Sequence, residues 1–220
     1  MTASTIWLWP GRAAYLGPAL RLDAHSTAVP CYAVGVDAPF HLTVGGVRRR
    51  VRGARIPPRT VHRIEAGPGR MLFDYRIAGT PTDPRIARVS RELLADPAAA
   101  PGAAGFAAAV DLSTSRFLHL FRAQTGTSFR RYRLWARMLR AGHGLAAGVD
   151  LTRAAADAGF ASPSHFSDSF HALFGLTASS LLAAGTGIVP VGERRAVTMR
   201  GGTPTHCATP VASSLGGSSA

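Results

Sequence analysis

Two stretches, "STSRFLHLFRAQTGTS" (Ser113–Ser128) and "SPSHFSDSFHALFGLT" (Ser162–Thr177), combine phenylalanines with short hydrogen-bonding side chains at regular spacing. In the second, Phe166, Phe170 and Phe174 recur every four residues, so on a helix they lie on one face. The opposite face carries Ser162, Ser164, His165, Ser167, Asp168 and His171. In the first stretch Phe117 and Phe121 hold the apolar positions, and Thr114, Ser115, Arg116, His119 and Arg122 the open ones. Such a face offers several short donors and acceptors on a helix anchored from behind. A forked guanidinium in the first turn, Arg116, adds bidentate contact with a phosphate or a guanine edge.

These stretches are copies of one unit. An offset of 49 residues superposes Ser113 on Ser162, Ser115 on Ser164, Phe117 on Phe166, Phe121 on Phe170, Gly126 on Gly175 and Ser128 on Thr177. Scaffold positions repeat and the residues between them do not. A short Ala-rich helix precedes each copy. Asp150 caps "LTRAAADA" and Gly159 closes it with a left-handed residue; "AGFAAAVD" ends at Asp111, which tolerates the same conformation. A short helix, a tight turn and a second crossing helix make a helix-turn-helix, whose second helix meets base edges in the DNA major groove. "SFRRYRLWARMLRAGHG" reads as a longer connecting helix, capped by Ser128, with Phe129, Tyr132, Trp135, Met138 and Leu139 inward and Gly142 and Gly144 ending it. On its open side Arg130, Arg131 and Arg133 reach at most the DNA backbone or solvent.

The segments that position these units follow from pattern. Residues 1–82 read as antiparallel strands in a small barrel or sandwich. "FHLTVGGVRRRV" turns at Gly45-Gly46, and a second pair, "RTVHRIEAGPGRMLFDYRI", turns at Gly67-Pro68-Gly69. Residues 83–100 are a helix, capped by Asp83 with Pro84 at its first position, and a Pro/Gly-containing linker. Residues 101–184 are helical throughout, and residues 185–220 have the composition of a disordered tail. The fold class is therefore α+β: a β module followed by an all-α domain of two helix-turn-helix units joined by a long helix.

Composition narrows the function without naming it. All 25 basic residues are arginine and the net charge is +13. Residues 1–82 hold 11 Arg against 4 acids, and residues 101–184 hold 8 Arg against 4 Asp, so charge permits nucleic-acid binding but does not locate it. No apolar run is long enough to span a membrane and the chain opens on no signal sequence, which predicts a cytoplasmic protein without a membrane partner. Cys31 and Cys207 form neither a disulfide framework nor a metal-binding pair.

With these residues in place, the helical half resembles the AraC/XylS family of transcription regulators. "LSTSRFLHLFRAQTGTSFRRYRLWARMLRA" is similar to the family's first unit and linker helix, and "DLTRAAADAGFASPSHFSDSFHALFGLT" to its second. The resemblance implies a regulator that inserts two recognition helices into successive major grooves of double-stranded DNA. It implies RNA polymerase as a partner for an activator; no nucleophile elbow, phosphate loop or carboxylate pair appears in the sequence, so neither a cofactor nor a catalytic residue is expected. "ARIPPRTVHRIEAG" resembles a turn of the family's cupin-like N-terminal barrels, which sense a small-molecule effector or form a homodimer. Two departures stand out: Ala178 and Leu181-Leu182 replace the usual Pro and Arg, predicting a less rigid last helix, and Ala154 replaces a large aliphatic residue, predicting a looser second unit. The alternative is a metal-dependent cupin-type enzyme with an accessory helical domain. His25, His41, His62 and Glu65 are its only material, without an HxH pair.

Overall fold

Alternation along the N-terminal strands sends one set of apolar side chains to a common interior, and two sheets form around it. The structure, a computed structural model, describes residues 4–192. The strands are β1 (Thr5–Trp9), β2 (Arg12–Pro18), β3 (Cys31–Gly35), β4 (Phe40–Val44), β5 (Val47–Val51), β6 (Gly53–Ile56), β7 (His62–Glu65) and β8 (Arg70–Arg76). Helices α1 (Pro84–Ala95), α2 (Ala103–Ala109), α3 (Thr114–Thr125), α4 (Phe129–Ala146), α5 (Leu151–Asp157), α6 (Pro163–Phe174) and α7 (Ala178–Ala183) follow, then β9 (Gly187–Pro190). The larger sheet runs β6-β3-β8-β2-β1-β9 and the smaller β5-β4-β7. This is the expected α+β arrangement, with a two-sheet β module ahead of the helices.

The three strands of the small sheet cover only part of the larger one. Phe40 and Ile64 of the small sheet meet Cys31, Ala33, Ile56, Met71, Phe73 and Tyr75 of the large one in a core that continues into Trp135, Met138, Leu139, Phe166, Leu173 and Leu181. The helical half thus closes the open side of the β module. A second core joins Ile86, Val89 and Leu93 of α1 to Phe106, Phe117, Phe121, Phe129 and Tyr132. The first helix-turn-helix rests on α1, the second on the sheet, and α4 runs through both cores.

Several expectations need correction. The Gly45-Gly46 hairpin is present, with both glycines at positive φ and Val44 opposite Val47. The strands flanking Gly67-Pro68-Gly69 do not pair: β7 lies beside β4, whereas β8 lies between β2 and β3. Because Met71, Phe73 and Tyr75 of β8 are needed at the centre of the large sheet, this link is a corner between sheets. Gly142 and Gly144 do not end α4. A Cβ at Gly142 would lie 2.8 Å from Leu8 Cδ1, and one at Gly144 3.2 Å from Ala154 Cβ, so both mark close packing instead. Gly144 also accounts for Ala154: two small residues let α4 and α5 approach until Ala154 is 2% exposed. Thr177 caps α7 by accepting from the Ser180 amide at 3.1 Å, so the missing Pro leaves its start fixed. Finally, the expected tail holds a strand. Residues Gly187–Pro190 pair parallel with β1, because Ile188 has an apolar edge to cover; residues 193–220, Cys207 included, lie outside the described residues.

Candidate nucleic-acid interface

Both open-faced helices are started and stopped by local chemistry. Ser113 Oγ accepts from the Arg116 amide at 3.3 Å, and Ser162 Oγ from the His165 amide at 3.0 Å, with Pro163 in the first turn of α6. Gly126 and Gly175 end α3 and α6 with the same φ of 72°. Asp111 (φ 54°) and Gly159 (φ 84°) supply the left-handed residues between the paired helices. Asp150 Oδ1 caps α5 by accepting from the Arg153 amide at 3.0 Å.

The phenylalanines hold the helices down. Phe117 and Phe121 are fully buried, stacked among Phe106, Phe129 and Tyr132. Phe166 is buried against Phe160, while Phe170 and Phe174 are partly buried and continue the same ladder onto the sheet, where Tyr75 meets the Phe174 ring edge-on at 5.4 Å. With those faces turned inward, Thr114, Ser115, Arg116, His119 and Arg122 on α3 are all exposed. Ser162, Ser164, His165, Ser167, Asp168 and His171 at and along α6 are exposed as well. Leu118, 39% exposed among the open positions of α3, escaped the sequence reading. Its spacing from Ser115 and Arg122, three and four residues, was the available signal.

The β module touches the far end of α6. His171 Nε2 lies 3.0 Å from an Asp23 carboxylate oxygen, the Asp23 amide donates to the Gly175 carbonyl at 2.8 Å, and the Ser26 amide donates to the Ala172 carbonyl at 3.3 Å. Of the predicted contact residues, His171 alone is thereby tied to the other half of the molecule among the described residues. The three arginines expected on the open side of α4 divide similarly. Arg131 donates to the Thr27 carbonyl at 2.8 Å, and Arg133 to the Ala100 carbonyl at 2.7 Å, while Arg130 is exposed. Two of the three thus hold loops that sequence could not place beside them.

The same loop carries His25, which pairs with His62 through reciprocal backbone hydrogen bonds, their rings 4.3 Å apart. Each ring's Nδ1 faces a backbone carbonyl, that of Asp23 for His25 and that of Thr60 for His62, which assigns the proton to Nδ1. Burial lowers the His25 pKa to about 4 and lowers that of His62. Among the described residues no group of three or more His, Cys, Asp or Glu is placed to hold a metal ion.

Residues 106–184 match the family model described as "Helix-turn-helix domain". No curated protein matches the chain in sequence. Among solved structures it is similar to ToxT from Vibrio cholerae O395, with 10% identity over 79% of this chain and 98% of that one, at a TM-score of 0.57. It is also similar to ToxT from the same strain bound to (E)-4-(8-methylnaphthalen-1-yl)but-3-enoic acid (9% identity, 83% and 98% of the chains, TM-score 0.53). A third is unsaturated fatty acid bound wild-type ToxT from Vibrio cholerae strain SCE256 (8%, 80% and 96%, 0.53). At such identities the likeness is one of fold, and it extends through both halves. Residues 106–184 are a helix-turn-helix domain of the AraC type, the DNA-binding part of a transcription regulator, and follow the two-sheet β module.

Proposed function

We propose that the protein is a cytoplasmic, sequence-specific transcription regulator that lays α3 and α6 into successive major grooves on one side of double-stranded DNA. The observation that carries this reading is the duplicated helix with matching caps, phenylalanine anchors and terminal glycines, each copy presenting a different exposed polar face. In it Arg116 forks onto a guanine edge. Ser115, His119 and Arg122 flank that contact, Leu118 packs on a thymine methyl group, and Thr114 takes a phosphate. On α6, Ser164, His165, Ser167 and Asp168 read bases. Ser162 stands at the phosphate-facing N-terminus, and His171 lies at the end that is shared with Asp23.

The β module, residues 1–82 with β9, serves as the sensor for a small-molecule effector. ToxT structures of the same fold hold an unsaturated fatty acid or an aryl butenoic acid, and here the second helix-turn-helix packs directly on the sheet. RNA polymerase is the further partner of an activator, and a homodimer would form through the β module. A metal-dependent enzyme has less support, because among the described residues no third ligand group joins His25 and His62. Selection from a random duplex library with the full chain tests the reading. Enrichment of one bipartite site is expected, and retention of all sequences alike would refute it.

A further inference from the structure

A cavity of about 110 Å³ lies where the helical half closes the β module, with Phe166, Phe170 and Phe174 on one side and Tyr15, Phe73 and Tyr75 on the other. Its walls carry no charged residue. Two of the three polar side chains in its lining already have hydrogen-bond partners. Tyr15 donates its hydroxyl to the Pro18 carbonyl at 2.8 Å, Trp135 its indole N–H to the Gly11 carbonyl at 3.1 Å, and Tyr75 is buried beside Cys31. A carboxylate entering this space would leave water without a cation to receive it, which costs several kcal/mol or forces neutralisation. A neutral hydrocarbon meets no such penalty. An apolar protein cavity of about 150 Å³ stays dry and takes up benzene. The volume here suits one small ring or a short alkyl chain, and Leu20 and Leu182 in its wall are only partly buried, giving a route in.

We infer that this cavity is a binding site for a small, uncharged apolar molecule, seated against the anchoring face of the second recognition helix. The inference rests on the effector reading for its biological meaning, but its test needs no DNA, so the two can fail separately. Full-length protein is titrated with toluene and, in parallel, with benzoate, while Tm and methyl NMR shifts are followed. Toluene should raise Tm and move the Leu and Met methyl signals saturably, and benzoate should do neither at the same concentrations. Leu182→Phe and Leu20→Phe fill the cavity from different walls; whichever folds should weaken toluene binding at least tenfold. Should neither fold, the contrast between toluene and benzoate on the native chain decides alone. Non-saturable toluene shifts, equal binding of benzoate, or undiminished binding in a folded filled variant would overturn the inference.

Discussion

Arg116 and Arg130 are both exposed arginines near helix N-termini, yet they should behave differently on DNA. Arg116 stands in the first turn of α3, where side chains meet base edges. Arg116→Ala should therefore cost roughly 1–3 kcal/mol on the preferred duplex and relax the preference at one position. Arg130→Ala should weaken all duplexes modestly, by an amount that fades with salt. Titrations on specific and scrambled duplexes at two salt concentrations separate these outcomes. Equal losses on both duplexes for Arg116→Ala would make it a phosphate contact. His25 gives a second residue-scale prediction. Burial lowers its folded pKa to about 4 from 6.5, so the unfolded chain binds the proton first. Its stabilising contribution is present above about pH 6.5 and is lost as pH falls towards 4, amounting to about 3 kcal/mol. Tm should drop across that window, and less steeply in His25→Asn; parallel curves would show that His25 does not titrate there.

At the scale of elements, the repeat provides its own control. Gly126 and Gly175 end equivalent helices with the same φ, but their surroundings differ. A Cβ at Gly126 meets only Ala78 Cβ at 3.4 Å, whereas at Gly175 it would lie 2.5 Å from the Asp23 carbonyl oxygen and 2.7 Å from His25 Nδ1. Gly126→Ala should cost only the left-handed backbone strain, about 1–2 kcal/mol. Gly175→Ala must also push the Asp23–Ser26 loop off α6 and should cost clearly more in chemical denaturation. Equal costs would mean that the loop yields freely. The contrast shows what was legible in sequence. Caps, turns, anchors and open faces were readable because each follows from residues a few positions apart. Gly142 and Gly144 were misread as terminators because their reason is tertiary: Leu8 and Ala154 press on α4 where a side chain would stand. The corner at Gly67–Gly69 was misread likewise, since a Gly-Pro-Gly link looks the same whether the next strand pairs with the last or joins another sheet.

For the molecule as a whole, the main surprise is that the two halves share a core. Trp135, Phe166 and Leu181 pack with Tyr15, Phe73 and Tyr75, a contact that no local pattern announces. Truncation after Ala184 should lower Tm by several degrees, since it removes β9 and with it the cover that Ile188 gives the sheet edge. Truncation after Val191 keeps that strand, and the difference in Tm between the two truncations isolates its contribution; identical melting would show that β9 adds nothing. The central claim, two recognition helices in successive grooves, is tested most directly by guanine-N7 methylation interference with the full chain on its selected site. Two clusters of interference should appear about 10 base pairs apart on one face of the duplex, and Arg116→Ala should abolish interference in one cluster alone. A single cluster, or two on opposite faces of the duplex, would contradict the account.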